Sequence, residues 1–221
     1  MKKPLVIFGS GDIAQLAHYY FSRDSEYEIV AFTVDSAYLT DTVFCDLPVI
    51  AFEDILKHYA PGQCELFIAL SYSKLNEVRK EKFLAAKAMG YRLASFISTR
   101  ATVLNDGRIG ENCFIFEDNT IQPFATIGNN VTLWSGNHIG HHSTIKDHCF
   151  IASHVVVSGG VEIGEQCFVG VNATLRDHIK VGEKCVIGAG VLLLADAAPE
   201  GVYIGAATER SKVPSTKLRK I

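Results

Sequence analysis

Five histidines lie close together in the second half of the chain: His138, His141, His142, His148 and His154. A neutral imidazole, with an unperturbed pKa of about 6.5, can take a proton from an incoming nucleophile near neutral pH. Residues 137–143 contain three of the five. This density predicts an active site in that stretch, with a histidine as the general base.

A glycine-rich segment, Ser158-Gly159-Gly160, follows the histidines. Glycine lets a ligand come close to the backbone, and backbone N–H groups stabilise a negatively charged oxygen. Transfer of an acyl group to an amine needs both parts, because the amine must lose a proton while the carbonyl oxygen gains charge. Residue types that could serve these two tasks therefore lie in neighbouring segments.

A period of six residues runs through the same half of the chain. Every sixth position from 97 to 193 is Ile, Val or Leu, which chance would give in roughly one case in 10⁵ if half of all residues were aliphatic. The positions are Ile97, Val103, Ile109, Ile115, Ile121, Ile127, Leu133, Ile139, Ile145, Ile151, Val157, Ile163, Val169, Leu175, Val181, Ile187 and Leu193. A helix would repeat its apolar residues at three and four positions, so the period indicates short parallel strands wound into a three-sided prism.

Two further residue types keep this register. Glycine often follows the repeated aliphatic residue, and we interpret these glycines as permitting the turn between strands. They are Gly110, Gly128, Gly140, Gly164, Gly170, Gly182 and Gly188. Four cysteines, Cys113, Cys149, Cys167 and Cys185, each lie four residues after a repeated aliphatic residue. We predict that their thiols fill interior space rather than serve a redox or metal role.

Residues 1–96 have a different pattern, in which strands and helices alternate. The segments 5–8, 28–34 and 66–70 are predicted strands, and helices are predicted at 15–21 and near 75–89, which together suggest a small parallel sheet. Between the first strand and helix lies Gly9-x-Gly11-x-x-Ala14. Such a turn brings backbone N–H groups to an anion at a helix N-terminus, and Asp35 follows the second strand where it could accept a hydrogen bond from a ribose or base.

These features resemble the hexapeptide-repeat acyltransferases, and in particular the bacterial enzymes that acetylate nucleotide-linked amino sugars. The resemblance implies an α/β Rossmann-like lobe at residues 1–96 that binds the nucleotide sugar. It implies a left-handed parallel β-helix with a C-terminal tail at residues 97–221. It also implies that the protein is a homotrimer, with acetyl-CoA between neighbouring prisms.

The resemblance also assigns roles to particular residues. The implied catalytic residues are His141 and His142. His141 matches the family's base, whereas the acid that commonly follows it and would orient the imidazole is replaced by His142. His142 and His138 are the alternative bases. The implied substrate-binding residues are Ser10, Gly11, Asp35, Lys74 and His138. The implied acetyl-CoA-binding residues are Gly159, Gly170, Val171, Gly188 and Gly205. In the loop at the end of the prism, Ala206-Ala207 stands where the family usually has proline.

The predicted function is therefore an acetyl-CoA-dependent N-acetyltransferase for a nucleotide-linked amino sugar, by resemblance a 4-amino-4,6-dideoxyhexose. No metal is predicted as a cofactor. O-acetylation is the alternative reaction for an enzyme of this kind. A hydroxyl acceptor would depend more heavily on an oriented base, so the missing acid after His141 favours an amine acceptor. The sequence leaves the nucleotide and the position of the amine open.

Two other classes of protein remain as alternatives. A zinc hydratase of similar fold would use paired histidine ligands five residues apart, and the five clustered histidines lack that separation. Adjacent His141 and His142 would also face opposite ways on a strand. A non-catalytic prism used for assembly would explain the repeat, but neither the histidines nor the N-terminal turn.

The net charge and the lengths of the apolar runs indicate where in the cell the protein functions. The formal net charge is −3, which indicates no basic surface for nucleic acid, and the longest apolar runs are too short to span a bilayer. The apolar run that begins at Leu5 stops at Gly9, so no export signal is predicted. These features predict a cytoplasmic protein that associates with neither nucleic acid nor membrane.

Overall fold

A computed structural model describes residues 2–217. The chain begins with an α/β lobe around a five-stranded sheet of order β3-β4-β2-β1-β5, parallel except for the β3–β4 pair. The strands are β1 (Lys3–Phe8), β2 (Tyr27–Val34), β3 (Val43–Phe44), β4 (Leu47–Ala51) and β5 (Glu65–Ile68). The predicted small parallel sheet is confirmed, and the β3–β4 hairpin is an addition to the prediction.

Three α-helices belong to this lobe: α1 (Asp12–Arg23), α2 (Ile55–His58) and α3 (Glu77–Ala88). Short 3₁₀ helices occur at Ser36–Tyr38, Phe52–Asp54 and Ser215–Lys217. Helix α1 buries Ala14, Ala17 and Phe21, which are spaced by three and four residues as an amphipathic helix requires. The predicted helices at 15–21 and 75–89 are therefore present with slightly different ends.

Both faces of the lobe's sheet are covered. Helices α2 and α3 pack on one face, where Ile55 and Phe83 meet Val6 and Leu66. Helix α1 packs on the other face, and Phe21 from this helix also contacts Phe114 of the prism. One apolar core thus continues from the sheet through α1 onto the outer surface of the seven-stranded face, and it is separate from the core inside the prism.

The second part of the chain is the predicted prism, built from two-residue parallel strands. They are β6 (Phe96–Ile97), β7 (Thr102–Val103), β8 (Phe114–Ile115), β9 (Thr120–Ile121), β10 (Thr126–Ile127), β11 (Thr132–Leu133), β12 (His138–Ile139), β13 (Thr144–Ile145), β14 (Phe150–Ile151), β15 (Val156–Val157), β16 (Glu162–Ile163), β17 (Phe168–Val169), β18 (Thr174–Leu175), β19 (Lys180–Val181), β20 (Val186–Ile187), β21 (Leu192–Leu193) and β22 (Val202–Tyr203). Their seven-, six- and four-stranded sheets form its three faces.

Residues eighteen apart pair between successive coils, as His138 does with Val156. From Ile115 to Leu193, every repeated aliphatic side chain is buried in the prism interior. The first three are not, and Ile97 is 36% exposed. They belong to the first coil, which has a neighbouring coil on one side only.

The corners between faces follow a backbone rule that differs from the one predicted. A positive φ recurs every six residues, three positions after the aliphatic residue, as at Asn130, His142 and His148. The glycines that directly follow the aliphatic residues have no positive φ. A Cβ at Gly140 would instead lie 2.6 Å from the backbone nitrogen of Gly159 in the next coil. Our interpretation of these glycines as turn-permitting was wrong, since close approach of the coils requires them.

The four cysteines of the repeat are fully buried, as predicted. Each thiol donates a hydrogen bond to a backbone carbonyl in the following coil, for example Cys113 to Gly128 at 3.1 Å and Cys149 to Gly164 at 3.0 Å. Ser143 makes the equivalent bond to the carbonyl of Ser158 at 2.8 Å. The thiols therefore tie successive coils together.

Helix α3 is fastened to the prism by a buried arginine. Arg79, only 1% exposed, donates hydrogen bonds to the carbonyl oxygens of His148 and Cys149, both at 3.2 Å, and to that of Asn130. It also donates to Asn76 Oδ1 at 2.9 Å. Burial lowers the pKa of the guanidinium to about 10.

Within residues 2–217, no helix has the length and apolar character needed to cross a bilayer.

Candidate functional site

His141 lies at the corner between the six-stranded and four-stranded faces, which we call the His141 corner (residues 122–125, 140–143, 158–161 and 176–179). Residues 140–143 form a tight turn closed by a hydrogen bond from the Ser143 N–H to the Gly140 carbonyl at 3.3 Å. The His141 N–H donates to Gln122 Oε1 at 2.9 Å. The ring extends over Gly159 of the next coil, where a Cβ would lie 2.6 Å from Cε1 and 2.8 Å from Nε2. Glycine at 159 thus makes room for the imidazole.

His142 lies beside His141 in the same turn. Its φ of 58° turns its side chain to the same side, and the two Nδ1 atoms are 3.1 Å apart. Its ring also packs against Phe124 of the preceding coil, with centroids 4.7 Å apart. The expectation that adjacent histidines face opposite ways was wrong, because they occupy a corner turn rather than a strand.

The remaining histidines of the cluster have other surroundings. His148 and His154 occupy positive-φ corner positions, where His is more readily tolerated than most residues. His148 is 5% exposed, and burial lowers its pKa to about 4. His138 is the first residue of β12 on the six-stranded face. Corner geometry therefore explains part of the histidine density, and His141 and His142 are the pair that the fold brings together.

Backbone N–H groups near His141 are only partly available. The Gly160 N–H donates to the His141 carbonyl at 2.8 Å, and the Ser158 N–H donates to Leu175 at 3.2 Å. Among the hydrogen bonds of residues 2–217, the Gly159 N–H is not engaged in this way. Gly159 is thus the oxyanion-stabilising candidate of the three.

The other predicted acetyl-CoA residues lie on a different corner. Gly170, Val171 and Gly188 are at the corner between the seven-stranded and six-stranded faces, and Gly205 follows β22 at the same edge. We call this the Gly188 corner. A Cβ at Gly205 would lie 2.3 Å from the Ala189 carbonyl oxygen, so these glycines allow close stacking. Within one chain, this corner and His141 are on opposite sides of the six-stranded face.

The N-terminal lobe has a cavity of about 650 Å³ at the start of α1. Its lining includes Gly11, Asp12, Ser71, Tyr72 and Trp134. Gly11 is the N-cap of α1, and no side chain caps this helix. The N–H groups of the first helical turn have no partner within a helix and carry a partial positive charge, so they can bind an anion.

The two glycines of the predicted phosphate turn have separate roles. Gly9 has a φ of 123°, and a Cβ there would lie 2.8 Å from the Ala69 carbonyl oxygen. Gly11 has nothing within 4 Å of the same position. Gly9 therefore allows the tight approach of β1 to the chain after β5, whereas Gly11 leaves open space at the cavity.

The other predicted substrate residues near this end of the lobe differ in whether their side chains are exposed or already paired. Ser10 is exposed beside Gly11. Asp35 accepts a hydrogen bond from Lys82 at 2.6 Å, so one carboxylate oxygen is already paired. Lys74 is exposed and starts three consecutive residues with positive φ, at 50°, 52° and 66°, that end at buried Asn76.

A second, apolar cavity of about 390 Å³ adjoins the first and was not predicted. Ile13 and Tyr72 line both cavities, together with Trp134. Tyr72 meets the rings of Phe150 and Phe168 at 5.0 and 4.8 Å between centroids. The available sequence signal was phenylalanine directly before the repeated aliphatic residue at 96, 114, 150 and 168.

The outer surfaces of the three faces differ. The lobe covers much of the seven-stranded face, and charged residues such as Lys146 and Glu162, paired at 2.6 Å, lie along the four-stranded face. The six-stranded face and its edges expose apolar side chains. These are Leu104, Phe124, Val156, Val171, Leu192 and Leu194.

Between residues 2 and 217, no group of three or more His, Cys, Asp or Glu side chains could hold a metal ion.

Comparison with known proteins agrees with this architecture. The family model for the bacterial transferase hexapeptide (six repeats) matches residues 106–141 and 124–159, and the model for the hexapeptide repeat of succinyl-transferase matches residues 160–195. The repeat register predicted from the spacing is thereby confirmed for residues 106–195. No curated protein matches the chain.

Several solved structures are similar over nearly the whole chain. PerB from Caulobacter crescentus, in complex with CoA and GDP-perosamine, is 23% identical with a TM-score of 0.80, covering 91% of this chain and 94% of PerB. The acetyltransferase domain of PglB from Neisseria gonorrhoeae, in complex with acetyl coenzyme A, is 24% identical with a TM-score of 0.81, covering 93% and 97%. WeeI from Acinetobacter baumannii is 18% identical with a TM-score of 0.78, covering 92% and 97%. The fold is thus an α/β lobe followed by a left-handed parallel β-helix of hexapeptide repeats, as predicted.

Proposed function

We propose that this protein is an acetyl-CoA-dependent N-acetyltransferase acting on a nucleotide-linked amino sugar, with His141 as the general base. The observation that carries the proposal is the position of the His141 ring, whose Nε2 edge extends over the bare backbone of Gly159. A base beside a free backbone donor is what acyl transfer requires. The similar structures of PerB and the PglB domain, which contain CoA with GDP-perosamine and acetyl coenzyme A, support the same chemistry.

The proposed reaction uses His141 twice. The sugar amine attacks the thioester carbonyl carbon, a C–N bond forms, and the amine proton moves to Nε2 of His141. The Gly159 N–H stabilises the oxyanion of the tetrahedral intermediate. The C–S bond then breaks, and the proton on Nε2 passes to the thiolate, which leaves as the free thiol of CoA. The bonds and protons of this reaction balance without a metal ion, an oxidant or a reductant.

The cavity at the start of α1 is the proposed nucleotide site. The uncapped N–H groups of the first helical turn suit a diphosphate, and Ser71 and Tyr72 add hydroxyl groups at its wall. Asp12 lines the same cavity and supplies an acceptor for a sugar or ribose hydroxyl. The adjoining aromatic cavity fits an apolar sugar substituent, which supports a 6-deoxyhexose such as a 4-amino-4,6-dideoxyhexose.

The active assembly is proposed to be a homotrimer. The substrate cavities adjoin Gly170 and Val171 at the Gly188 corner, whereas His141 lies across the six-stranded face of the same chain. The apolar side chains on that face need a partner surface. Three copies packed through this face can bring the His141 corner of one chain to the Gly188 corner of the next, with acetyl-CoA between them.

The first test is a substrate panel. UDP-, dTDP- and GDP-linked amino sugars are incubated with acetyl-CoA, and release of CoA thiol is followed together with the mass of the product. We expect a mass gain of one acetyl group on the sugar amine. The matched control is the analogue of each sugar with a hydroxyl in place of the amine. If only the hydroxyl analogue is acetylated, the enzyme is an O-acetyltransferase rather than an N-acetyltransferase. Absence of transfer to every sugar would contradict the enzyme assignment.

The second test examines whether two chains share one site. His141→Ala removes the base, and Gly11→Glu places a carboxylate where the diphosphate is proposed to bind, in a position with no atom within 4 Å of the new Cβ. Each variant alone should be inactive, while Gly11→Gln serves as the uncharged control. Mixed trimers of the two inactive variants should recover roughly one quarter of wild-type activity, because random mixing leaves that fraction of interfaces intact. No recovery would contradict the shared site.

A further inference from the structure

His141 and His142 share a hydrogen bond that constrains how each ring is protonated. Their Nδ1 atoms are 3.1 Å apart, within the ordinary range for a hydrogen bond between nitrogens. The rings are nearly perpendicular, at 83°. In a neutral pair, one Nδ1 carries the shared proton and the other accepts it. The neutral tautomers of the two residues are therefore linked.

We propose that His142 is a positioning residue whose Nδ1 accepts the Nδ1–H of His141 and so keeps Nε2 of His141 unprotonated. This inference rests on the proposed function only in naming His141 as the base. His141 is exposed and its Nδ1 is engaged with His142, whereas Nε2 makes no hydrogen bond within residues 2–217, so Nε2 is the ring nitrogen that an amine can reach. With the proton held on Nδ1, the Nε2 lone pair faces the substrate.

Both rings are held by contacts of their own. Phe124 packs on the ring of His142, and the positive φ of His142 directs its side chain toward His141. Gln122 accepts the backbone N–H of His141 at 2.9 Å. These contacts come from the preceding coil, so the alignment of the pair is built into the prism rather than supplied by a ligand.

A histidine in this place acts differently from a carboxylate. When His141 takes the amine proton, its Nδ1–H bond to neutral His142 becomes charge-assisted and stabilises the imidazolium. A carboxylate in this place would add a negative charge, whereas the neutral ring of His142 stabilises the imidazolium through the hydrogen bond alone.

Other charged and titratable side chains lie at the same corner. Phe124 packs on His142, and Gly160 follows His142 in the next coil. Asp106 lies two coils before the pair, and Arg176, Asp177 and His178 lie two coils after it. The His178 ring extends back over Gly160. The partner that directly contacts His141 Nδ1 is His142.

Three substitutions at one position test the proposal, since Asn, Asp and Gly all accept a positive φ. His142→Asn and His142→Asp keep an acceptor for the Nδ1–H of His141 and should retain most of the activity. His142→Gly lacks the acceptor and should lower kcat/KM by ~10–100-fold, the loss typical of removing the hydrogen-bond partner that orients a metal-binding histidine.

Lys184→Gly is the matched control, because Lys184 is an exposed corner residue with a φ of 55°. It should leave kcat/KM unchanged. A loss of kcat/KM in His142→Asn as large as that in His142→Gly would overturn the proposal, as would wild-type kcat/KM in His142→Gly.

A second measurement does not depend on activity. Nitrogen-15 NMR of the histidine side chains reports which ring nitrogen carries the proton. We expect His141 of the wild type and of His142→Asn to be protonated on Nδ1, and His141 of His142→Gly to shift toward protonation on Nε2. A wild-type His141 protonated on Nε2 would overturn the positioning role. If no sugar is acetylated but His141 carries its proton on Nδ1, the proposed function fails and the histidine pair stands.

Discussion

His142 and His148 lie one hexapeptide apart, in equivalent corner positions with φ angles of 58° and 64°. His142 is exposed and meets His141, whose Nε2 edge is open to a ligand. His148 is buried, and its Nδ1 accepts a hydrogen bond from Asn130 Nδ2 at 2.9 Å beneath helix α3. The same residue type in the same backbone conformation thus has two different environments, and the surface packed outside the corner decides which.

The corner that contains His148 is a hydrogen-bonded stack, which we call the Asn130 corner (Asn112, Asn130, His148 and Gln166). Asn112 donates to Asn130 Oδ1 at 2.8 Å, and Gln166 donates to the Leu75 carbonyl at 3.1 Å. Each member pairs with a neighbouring coil or with the lobe. This corner holds the lobe on the prism, whereas the His141 corner faces outward, and this difference can be tested by substitutions of graded effect.

The largest expected effect is on turnover at the His141 corner. His141→Ala should lower kcat by ~10²–10⁴-fold, the usual range for loss of a general base, equal to about 3–5 kcal/mol in the activation barrier. The free energy of unfolding should not change, because the ring is exposed. Thiol release and urea unfolding measure the two quantities. Wild-type turnover in this variant would contradict the assignment of the base.

At the Asn130 corner, the next effect is on stability. Arg79→Met fills similar space but leaves Asn76 Oδ1 and the carbonyl oxygens of Asn130 and His148 without this donor, whereas the Cys149 carbonyl still accepts from the Thr132 N–H at 3.0 Å. Unsatisfied buried acceptors cost about 1–3 kcal/mol each, partly offset by removal of a buried charge, so we expect a loss of about 3 kcal/mol in the free energy of unfolding. Urea unfolding monitored by circular dichroism measures it. An unchanged midpoint would show that the arginine does not fasten the lobe.

The pH dependence of stability separates the two corners further. His148 has a folded-state pKa of about 4, below its unfolded value, because burial disfavours the charged ring. The unfolded chain therefore binds more protons between about pH 4 and 6.5, and stability falls as pH drops through this window. We expect a loss of about 2 kcal/mol between pH 8 and pH 5 from this group.

His148→Asn is the matched variant for this prediction. Asparagine accepts a positive φ and keeps an acceptor for Asn130 Nδ2 without titrating. Its free energy of unfolding, measured by urea titration at pH 8 and pH 5, should change less between the two pH values than that of the wild type. An equal pH dependence in both proteins would assign the effect to other groups.

The smallest expected effect concerns the fit of the His141 ring. Gly159→Ala places a methyl group 2.6–2.8 Å from ring atoms of His141 in its present position, so the imidazole must move. We expect kcat to fall by about tenfold, or 1.4 kcal/mol, with little change in stability because a side chain rather than backbone gives way. In a His141→Ala background the same change should have no further effect. Additive losses would mean that Gly159 acts independently of the ring.

The fold was largely predictable because its signal is a repeat. A period of six with aliphatic residues at 17 positions specifies the interior whatever surrounds the prism, and the 18-residue pairing follows from three sides per coil. The site was predictable in part. The histidine-rich segment could be read from the sequence, and the resemblance to the acyltransferase family singled out His141. The roles of the corner glycines were missed because they depend on how one coil lies on the next, and the contact between adjacent histidines was missed because it depends on a positive-φ turn.

The amino-acid sequence by itself determined the prism, the register of its interior and the position of a histidine-rich corner, since each depends on spacing along one chain. Only the tertiary structure decided that His148 is buried beneath α3 and that His142 contacts His141. It also decided that the lobe and the prism together line an aromatic cavity around Tyr72 and Trp134. Those outcomes depend on contacts between residues far apart in the chain or on positive-φ turns, and neither is encoded in a local pattern of residue types.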